Sequence, residues 1–530
     1  MGCTSSAYDG DFQYDFHDIN NDGSWEDDFD QVPKEQYTDD PESSNLKHYT
    51  VDFRTSSGLI DHRPRRPEVP PGQMWTDEEF TLPIAIKEYA KQRLDWKRPH
   101  EIVRNPVLFA DGTSRFDIKQ RSFGTCWFLS MMANLGDKPD LCRKVINEDS
   151  YTPRTDGICH CRLWRFGEWE DVYMDDYLPV FAGTRQLYGA LSGTDTNEMW
   201  VSLLEKSLAR LHGSYNVVSD EGGYPSDAYL TLTGAVAEKV SFDYDDPDPD
   251  QLFRRLRNAL HTGALVTCAV PPEFDGEIGL VGGHAYSLTG AYMVTKRDGE
   301  KFPLVRIRNP HGTNEWQGKW SDKSSEWGDV SDGHLIRRNK NDGEFWISLE
   351  DFLHYFAQTT ICSLTPDFDI DGRSDGLNHV LRIFGEWRGG VGQGGTLRDR
   401  VRNPRFAFTV PVEGVTDEGY VPVVVQIIQK AHHLDYDAIR CDLYKVTRGS
   451  ERSRMFYVAK MRDTEAKDCY YPRLQCVFRY RVKPGRYIVI PSTYQSGVNR
   501  EFLLRVFSSS PVYYCRRVPR QKPIMPLSRY

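Results

Sequence analysis

The sequence of 530 residues predicts an α+β chain in which a mixed helical and β region precedes an all-β sandwich. Two observations predict the mixed region. Apolar residues recur at helical spacing in 123–135 and 198–212, and short β-type runs separated by Gly, Pro and Asp begin near residue 223. A third observation predicts the sandwich, because seven short strand-like runs follow one another after residue 378.

The first sixty residues of the N-terminal segment 1–73 carry the net charge of the chain. Residues 1–60 hold 14 acidic and three basic side chains, a balance of −11 that equals the formal net charge of the whole protein. Low hydrophobicity, high charge and the Pro-rich stretch 63–72 predict a disordered tail that ends in an extended linker. Because the remainder is charge-balanced, no basic face for nucleic acid is indicated, and no nucleic-acid partner is expected.

Composition also predicts where the protein resides. No stretch approaches 18 continuous apolar residues, and the N-terminus lacks a basic stretch followed by an apolar one, so neither a membrane span nor a secretory signal is expected. Eleven cysteines are too few for a disulfide scaffold, so we expect reduced thiols and a cytoplasmic location. The start MGCTSS fits N-myristoylation of Gly2, and palmitoylation of Cys3 would make membrane anchoring stable. The alternative is an unmodified, disordered start.

Residues 74–222 are predicted as the first half of the mixed region. The segment 123–135 has the apolar spacing of a helix. The run from Ile158 to Val180 alternates around Gly167, which predicts a hairpin. Cys159 and Cys161 would share one strand face and His160 the other, an arrangement that suits core packing better than a metal site.

The clearest helix of this half runs from Glu198 to His212. Asn197 is the predicted N-cap, and Gly213 is the predicted end because Gly tolerates the left-handed conformation found there. Residues 223–366 are predicted as the second half, rich in short strands.

Residues 378–510 are predicted to form the β-sandwich. Its expected strands are RFAFTV, VPVVVQIIQ, CDLYKV, RMFYVAKM, VFRYRV, RYIVIP and EFLLRVFS. The sequence FGEW occurs at 166–169 and at 384–387, and both copies are predicted to mark hairpin turns. The basic, Pro-containing tail 511–530 is predicted to be loose.

The strongest chemical signal is Cys126 at a helix start, six residues after Gln120. A helix N-terminus favours the thiolate, which is the reactive form of cysteine. His284 follows two glycines at a strand start, and Asn309 follows another strand, where it would fix the histidine tautomer. Gln120 would donate its amide to an oxyanion.

Each of these residues also has a structural interpretation, since most buried cysteines are inert and most histidines are not catalytic. Together, in the order Cys, His and Asn, they fit a papain-type arrangement whose members meet only in the fold.

Three long motifs resemble those of the calpain family: QRSFGTCWFLS around Cys126, GLVGGHAYSLTGA around His284 and IRNPHGTNEWQGKWSDKSSEW around Asn309. The resemblance covers about 74–510. It implies a papain-like cysteine protease core of two subdomains, followed by a calpain-type β-sandwich. The implied activity is limited endoproteolysis of protein substrates, switched on by calcium. The implied nucleophile is Cys126, with His284 as its acid and base.

The resemblance further implies one calcium site in each subdomain. Calcium takes several oxygen ligands in flexible geometry. In the first subdomain the implied ligands are the backbone oxygens of Ala110 and Gly112 and the carboxylates of Asp117 and Glu198. In the second they are the carboxylates of Glu315, Asp322, Asp342 and Glu344 and the backbone oxygen of Lys340. The alternative is that these acids are ordinary solvated side chains.

Three positions depart from the calpain pattern. Arg121 stands where the family has Gly, Thr125 where it has Asp, and His311 where it has Trp. These changes motivate an alternative hypothesis, a catalytically impaired calpain-like binding or scaffold protein. The chain stops after the sandwich, so we expect neither the EF-hand domain of conventional calpains nor pairing with a small regulatory subunit. The sandwich is also a candidate for binding acidic lipids.

Overall fold

The computed structural model describes most of the chain from residue 38 onwards. The described residues are 38–39, 47–54, 64–87, 89–275, 278–330, 336–337, 339–363, 376–389, 403–448, 456–461, 469–518 and 524–526. The predicted acylation sites Gly2 and Cys3 lie outside these ranges. Within them, no helix has the length and apolar character needed to cross a bilayer.

The described helices lie between residues 82 and 355. They are Leu82–Ala85, Pro99–Ile102, Cys126–Gly136, Pro139–Val145, Trp200–His212, Tyr215–Asp220, Pro225–Thr233, Phe242–Asp245, Pro249–His261 and Leu349–Tyr355, with 3-10 turns at Arg115–Asp117 and Ser325–Asp329. The helix Cys126–Gly136, here called the cysteine helix, is buried at every residue after Cys126. A helix that is buried on all sides forms the centre of its domain, and this one is surrounded by the first hydrophobic core.

The amphipathic helix begins later than its sequence pattern predicts. It spans Trp200–His212 with Met199 as the N-cap. Asn197 is wrong as the predicted N-cap, because its backbone and side-chain N–H groups both donate to Asp195 Oδ1, at 2.8 and 3.0 Å. The predicted end is confirmed, since Gly213 adopts a left-handed φ of 93°.

The predicted hairpin is confirmed. Its strands are Ile158–Arg165 and Glu168–Asp175, and the turn residues Phe166 and Gly167 have φ values of 47° and 101°. Cys159 and Cys161 are buried in the core, while His160 on the other face bonds Asp171 Oδ1 at 2.7 Å. Two short ladders complete this half: Leu94–Lys97 with Leu178–Phe181, and Ile118–Lys119 with Leu191–Ser192.

The second half is built on a six-stranded antiparallel sheet. Its strands, in spatial order, are Glu344–Ser348, Lys301–Arg308, Ala285–Thr295, Leu265–Ala269, Gln358–Ser363 and Val236–Ser241. The cysteine helix packs on this sheet through two buried hydrogen bonds. Ser287 Oγ donates to the Ser130 carbonyl at 2.8 Å, and Asn134 Nδ2 donates to the Val266 carbonyl at 2.8 Å.

The helix just after the boundary predicted between residues 222 and 223 is Pro225–Thr233. The helix Pro225–Thr233 packs in the core of the first half through Ala228, Tyr229 and Leu232. Asn134 of the cysteine helix donates to the Tyr229 hydroxyl at 3.1 Å. The same core also includes Leu265 and Cys362 of the six-stranded sheet, so the boundary between the halves stays a prediction.

The C-terminal region is a sandwich of two sheets, and all seven predicted strands are present. The strands of one sheet are, in spatial order, Thr38–Asp39, Lys47–Asp52, His379–Trp387, Arg500–Ser508, Val421–Gln429 and Gln475–Val482. The strands of the other sheet are, in spatial order, Tyr513–Arg517, Phe406–Val410, Gly485–Thr493, Ala438–Arg448, Phe456–Lys460 and Ile524–Pro526. The short strand Tyr471–Pro472 also pairs with Ala438–Arg448.

Three predictions at the ends of the sandwich are wrong. FGEW at 384–387 is the end of the strand His379–Trp387 rather than a turn, because it pairs along its whole length with Arg500–Ser508. Lys47–Asp52, placed in the disordered tail, forms a strand parallel to His379–Trp387. Tyr513–Arg517, placed in the loose C-terminal tail, pairs with Phe406–Val410. Polar flanking sequence concealed both additional strands.

The strand Lys47–Asp52 generates a prediction about stability. Val51 pairs with Ile383 and packs on the sandwich core, whereas its neighbour Thr50 is exposed. Val51→Asp should lower the free energy of unfolding by about 1–3 kcal/mol, because it forces a charge against apolar side chains. Thr50→Asp, with the same new charge on the outer face, should change it little. Denaturant unfolding followed by circular dichroism compares the two, and equal midpoints would contradict the strand assignment.

Candidate active site

The cysteine helix places Cys126 at its first residue. The Thr125 carbonyl accepts hydrogen bonds from the N–H groups three and four residues later, both at 2.9 Å, so the helix begins directly at the cysteine. Cys126 is partly exposed and carries a free thiol. Burial raises the pKa of this thiol, whereas neighbouring backbone N–H groups, first that of Ala285, lower it. The thiol therefore lies beside the residue that follows His284.

His284 and Asn309 form a hydrogen-bonded pair. His284 precedes the strand Ala285–Thr295, and Asn309 follows the adjacent strand Lys301–Arg308. Both side chains are buried, and His284 Nε2 lies 3.0 Å from Asn309 Oδ1. Since an amide oxygen only accepts, Nε2 carries the proton and Nδ1 is left available. Asn309 is itself held, because its Nδ2 donates to the Asn314 carbonyl at 3.1 Å.

Burial acts in opposite directions on the two reactive groups. It raises the pKa of the Cys126 thiol and lowers the pKa of His284 to about 3. The neighbouring His311 lowers the pKa of His284 further, while the bond with Asn309 opposes the shift. Within the described residues no hydrogen bond joins the thiol to the imidazole. The arrangement thus favours a neutral thiol and a neutral imidazole over the thiolate and imidazolium pair.

Gln120 lies beside the same pair but donates elsewhere. Its backbone N–H donates to the Pro310 carbonyl at 3.0 Å, which ties the segment before Cys126 to the segment after Asn309. Its side-chain Nε2 donates to the Phe123 carbonyl at 2.9 Å. The role of Gln120 in holding an oxyanion therefore stays a prediction, and it requires the amide to turn away from Phe123.

Two of the residues that depart from the calpain pattern contact this site. The His311 ring stacks on His284 with centroids 4.3 Å apart, and its backbone N–H donates to Asn309 Oδ1 at 2.9 Å. Thr125 is fully buried, and its hydroxyl donates to Glu205. Sequence reasoning did not single out Glu205, although a carboxylate on the apolar face of an amphipathic helix is a recognisable signal.

The structure brings together the first set of implied calcium ligands. Asp117 and Glu198 are both almost fully buried. Glu198 accepts from the Ala110 backbone N–H at 3.0 Å and from the Ser192 hydroxyl at 2.8 Å. Burial raises the pKa of Glu198, and the nearby Asp117 and Asp111 raise it further. Gly112 has a left-handed φ of 102° in the same loop.

The second set gathers around residues 340–344. Glu315 accepts from the Gly343 N–H at 2.8 Å, and Asp342 accepts from the Glu344 N–H at 3.1 Å. Asp322 Oδ2 accepts from the Lys340 N–H at 3.1 Å, whereas its Oδ1 is buried without a hydrogen-bond partner. Burial raises the pKa of Asp322 to about 6. An unpartnered buried carboxylate oxygen is a suitable ligand for a hard cation.

Arg115 connects the two sets. It begins the turn that contains Asp117, and its guanidinium donates to Glu344 at 2.8 Å and to Asp137 at 2.7 Å. All the implied metal ligands in both sets are hard oxygen atoms, which is the kind of ligand that calcium prefers. Across the described part of the chain, however, no three His, Cys, Asp or Glu side chains form a group that could hold a metal ion.

Comparison with known proteins identifies the family of the chain. The model of the calpain family cysteine proteases matches residues 75–363, and the model of domain III of the calpain large subunit matches 383–507. Calpain clp-4 of Caenorhabditis elegans is 33% identical over 479 residues, which cover 82% of this chain and 66% of the relative. Calpain-A of Drosophila melanogaster is 34% identical over 472 residues, which cover 83% and 56%. The calpain-1 catalytic subunit of Mus musculus is 35% identical over 459 residues, which cover 80% and 62%.

The chain spans from just over half to about two thirds of the length of these relatives. The two family models account for the mixed helical and β region and for the sandwich in turn. This chain belongs to the calpain family of cysteine proteases, and its protease core is followed by the β-sandwich of calpain domain III.

Proposed function

We propose that the chain is a calcium-regulated cysteine endopeptidase that cleaves protein substrates at limited positions. The observation that carries this proposal is the pair of His284 and Asn309, joined at 3.0 Å beside the thiol of Cys126. The pair leaves Nδ1 of the imidazole available for the thiol, and the thiol stands at a helix N-terminus. These are the parts that nucleophilic acyl transfer requires.

In the proposed reaction, the Cys126 thiolate attacks the scissile carbonyl carbon, and Nδ1 of the His284 imidazolium donates its proton to the leaving amine. The developing oxyanion accepts hydrogen bonds from the Cys126 backbone N–H and from the Gln120 side chain. His284 then takes a proton from water, which hydrolyses the thioester and releases the second product. Asn309 holds the imidazole in the required tautomer throughout.

We propose regulation by calcium because burial of Cys126 and His284 disfavours the pair of thiolate and imidazolium that the reaction needs. Residues that would hold calcium lie in both halves of the core, and Arg115 links Asp117 of one set to Glu344 of the other. When bound, calcium would supply the positive charge that lets neighbouring carboxylates approach one another. A change in either set would therefore act on the contact between the two halves, across which Cys126 faces His284.

The alternative of an impaired binding or scaffold protein rests on Arg121, Thr125 and His311. In the structure, Thr125 is accommodated by a buried hydrogen bond. His311 stacks on His284 while the bond to Asn309 is kept. Neither contact removes a catalytic group, so we prefer the protease to this alternative. A cytoplasmic location, acylation of Gly2 and Cys3, and lipid binding by the sandwich are further proposals that rest on the sequence.

The nucleophile is tested with Cys126→Ala. Casein should be cleaved by the unaltered protein in calcium and spared when the calcium is chelated, whereas Cys126→Ala should spare casein in both conditions because it lacks the thiol. Cys142→Ala, which removes a buried thiol of the same domain, should keep the activity. Equal cleavage by Cys126→Ala and the unaltered protein would refute the proposal.

The histidine partner is tested with Asn309→Ala. Without the Oδ1 acceptor the imidazole loses its fixed tautomer, so kcat on a peptide substrate should fall roughly 100-fold with little change in KM. Asn216→Ala, which alters an Asn outside the site that bonds Asp220, is the control. An unchanged kcat for Asn309→Ala would show that His284 does not depend on this bond.

The calcium requirement is tested with Asp322→Asn. Because Asp322 Oδ1 is buried and unpartnered, losing its charge should raise the calcium concentration for half-maximal cleavage several-fold, each tenfold being about 1.4 kcal/mol. Asp329→Asn makes the same substitution at a nearby exposed position and should leave that concentration unchanged. Identical calcium titrations of both variants would argue against a site at Asp322.

A further inference from the structure

A carboxylate lies buried under the turn that carries Cys126, and the proposed reaction does not use it. Glu205 belongs to the helix Trp200–His212 and is only 1% exposed. It stands four residues after Val201 and three before Leu208, so it occupies the apolar face of the helix. An ionisable group at such a position costs free energy unless hydrogen bonds compensate it.

Glu205 makes two hydrogen bonds to separate segments. Its Oε1 accepts from the Thr125 hydroxyl at 2.6 Å, and its Oε2 accepts from the Ala190 backbone N–H at 2.8 Å. Both partners are donors here, which suits a carboxylate better than a carboxylic acid. Burial raises the pKa of Glu205 to about 7, and the hydrogen bonds from Thr125 and Ala190 oppose that rise.

The surroundings leave the carboxylate little freedom. A Cβ atom on Gly189 would lie 2.6 Å from Glu205 Oε2. The backbone at Gly189 therefore lies so close to the carboxylate that any larger residue would displace one of the two. The Ser202 hydroxyl, one turn earlier on the same helix, donates to the Ala190 carbonyl at 2.6 Å. The Ala190 segment is therefore held at both its N–H and its carbonyl, and it supports Glu205 from the side.

Thr125 transmits this restraint to the nucleophile. Its carbonyl receives the first helical hydrogen bonds of the cysteine helix, and its side chain makes no cap bond of its own. The hydroxyl is instead used entirely by Glu205. On the other side of the turn, the Gly124 N–H donates to the Ser219 hydroxyl at 2.8 Å. Gly124 is thus tied to the helix Tyr215–Asp220, and Thr125 is tied to the buried Glu205.

We infer that Glu205 is a positioning residue for the nucleophile. Through the Thr125 hydroxyl it holds the turn 123–126, so that the Cys126 thiol and the Cys126 backbone N–H keep their places relative to His284. This inference rests on the proposed protease function. Because misplacing a reacting group by about 1 Å costs on the order of 100-fold in rate, loss of this bond should act on the chemical step rather than on substrate binding.

The inference is tested by removing and restoring the hydroxyl. Thr125→Val keeps the shape of the side chain but removes the donor, and Thr125→Ser keeps the donor. We expect Thr125→Val to lower kcat roughly 10–100-fold with KM within about twofold, and Thr125→Ser to stay close to the unaltered protein. Glu205→Gln, which puts an amide N–H opposite one of the two donors, should also lower kcat.

The matched control is Thr359→Val. Thr359 is fully buried, and its hydroxyl donates to the Thr267 carbonyl at 2.9 Å, away from the turn. Its kcat should be unchanged once rates are normalised to native protein measured by circular dichroism. An unchanged kcat for Thr125→Val, an equal loss for Thr125→Ser, or an equal loss for Thr359→Val would each overturn the inference.

A second measurement does not need peptide cleavage. Iodoacetamide alkylates Cys126, and mass spectrometry of the peptide that contains Cys126 gives the rate. This rate reports the accessibility and reactivity of the thiol. This rate should fall in Thr125→Val and be kept in Thr125→Ser. If the unaltered protein cleaves no substrate, the proposed function fails, while the alkylation rates still decide the role of Glu205. Equal alkylation rates in all three proteins would overturn the positioning role.

Discussion

The antiparallel pairing of the strands Ala285–Thr295 and Lys301–Arg308 is the interaction on which the proposed active site depends. Ser287 pairs with Arg308, so His284 and Asn309 leave adjacent strands at the same edge of the sheet. A shift of one residue in this register would turn the side chains of one strand to the opposite face and separate the pair. The hydrogen bonds of the cysteine helix to the same sheet then bring Cys126 to that edge.

Burial sets the chemical state of this site. The packing that positions the thiol and the imidazole also removes water from them, so their pKa values move in directions that favour the neutral forms. Glu198 and Glu205, which lie in the same half of the core as Cys126, are likewise buried, and burial raises their pKa values. They are held by hydrogen bonds from hydroxyl and backbone groups, which makes their positions well defined.

The sandwich is joined to the protease core by polar contacts. Arg479 donates to Glu238 at 2.8 and 2.7 Å, and the Tyr436 hydroxyl donates to Asp227 at 2.8 Å. His433 bonds the Gly222 carbonyl at 2.6 Å, and its ring lies 5.6 Å from that of Trp127, the residue after Cys126. Local sequence patterns do not predict contacts between residues that are more than 200 positions apart. Such contacts make domain III a part of the environment of the cysteine helix.

The sequence by itself determined the family and the order of the core and sandwich, and it predicted Cys126, His284 and Asn309 as the site, because motifs and hydrophobic periodicity are local properties of the chain. All seven strands that it predicted for the sandwich are present. Only the tertiary structure showed that Lys47–Asp52 pairs with His379–Trp387, a strand that lies more than 300 residues later in the chain. It alone revealed the bond from Thr125 to Glu205 and the orphaned oxygen of Asp322. These features depend on which segments meet in space, and the free energy of burying a charge or pairing a strand is defined only once its neighbours are in place.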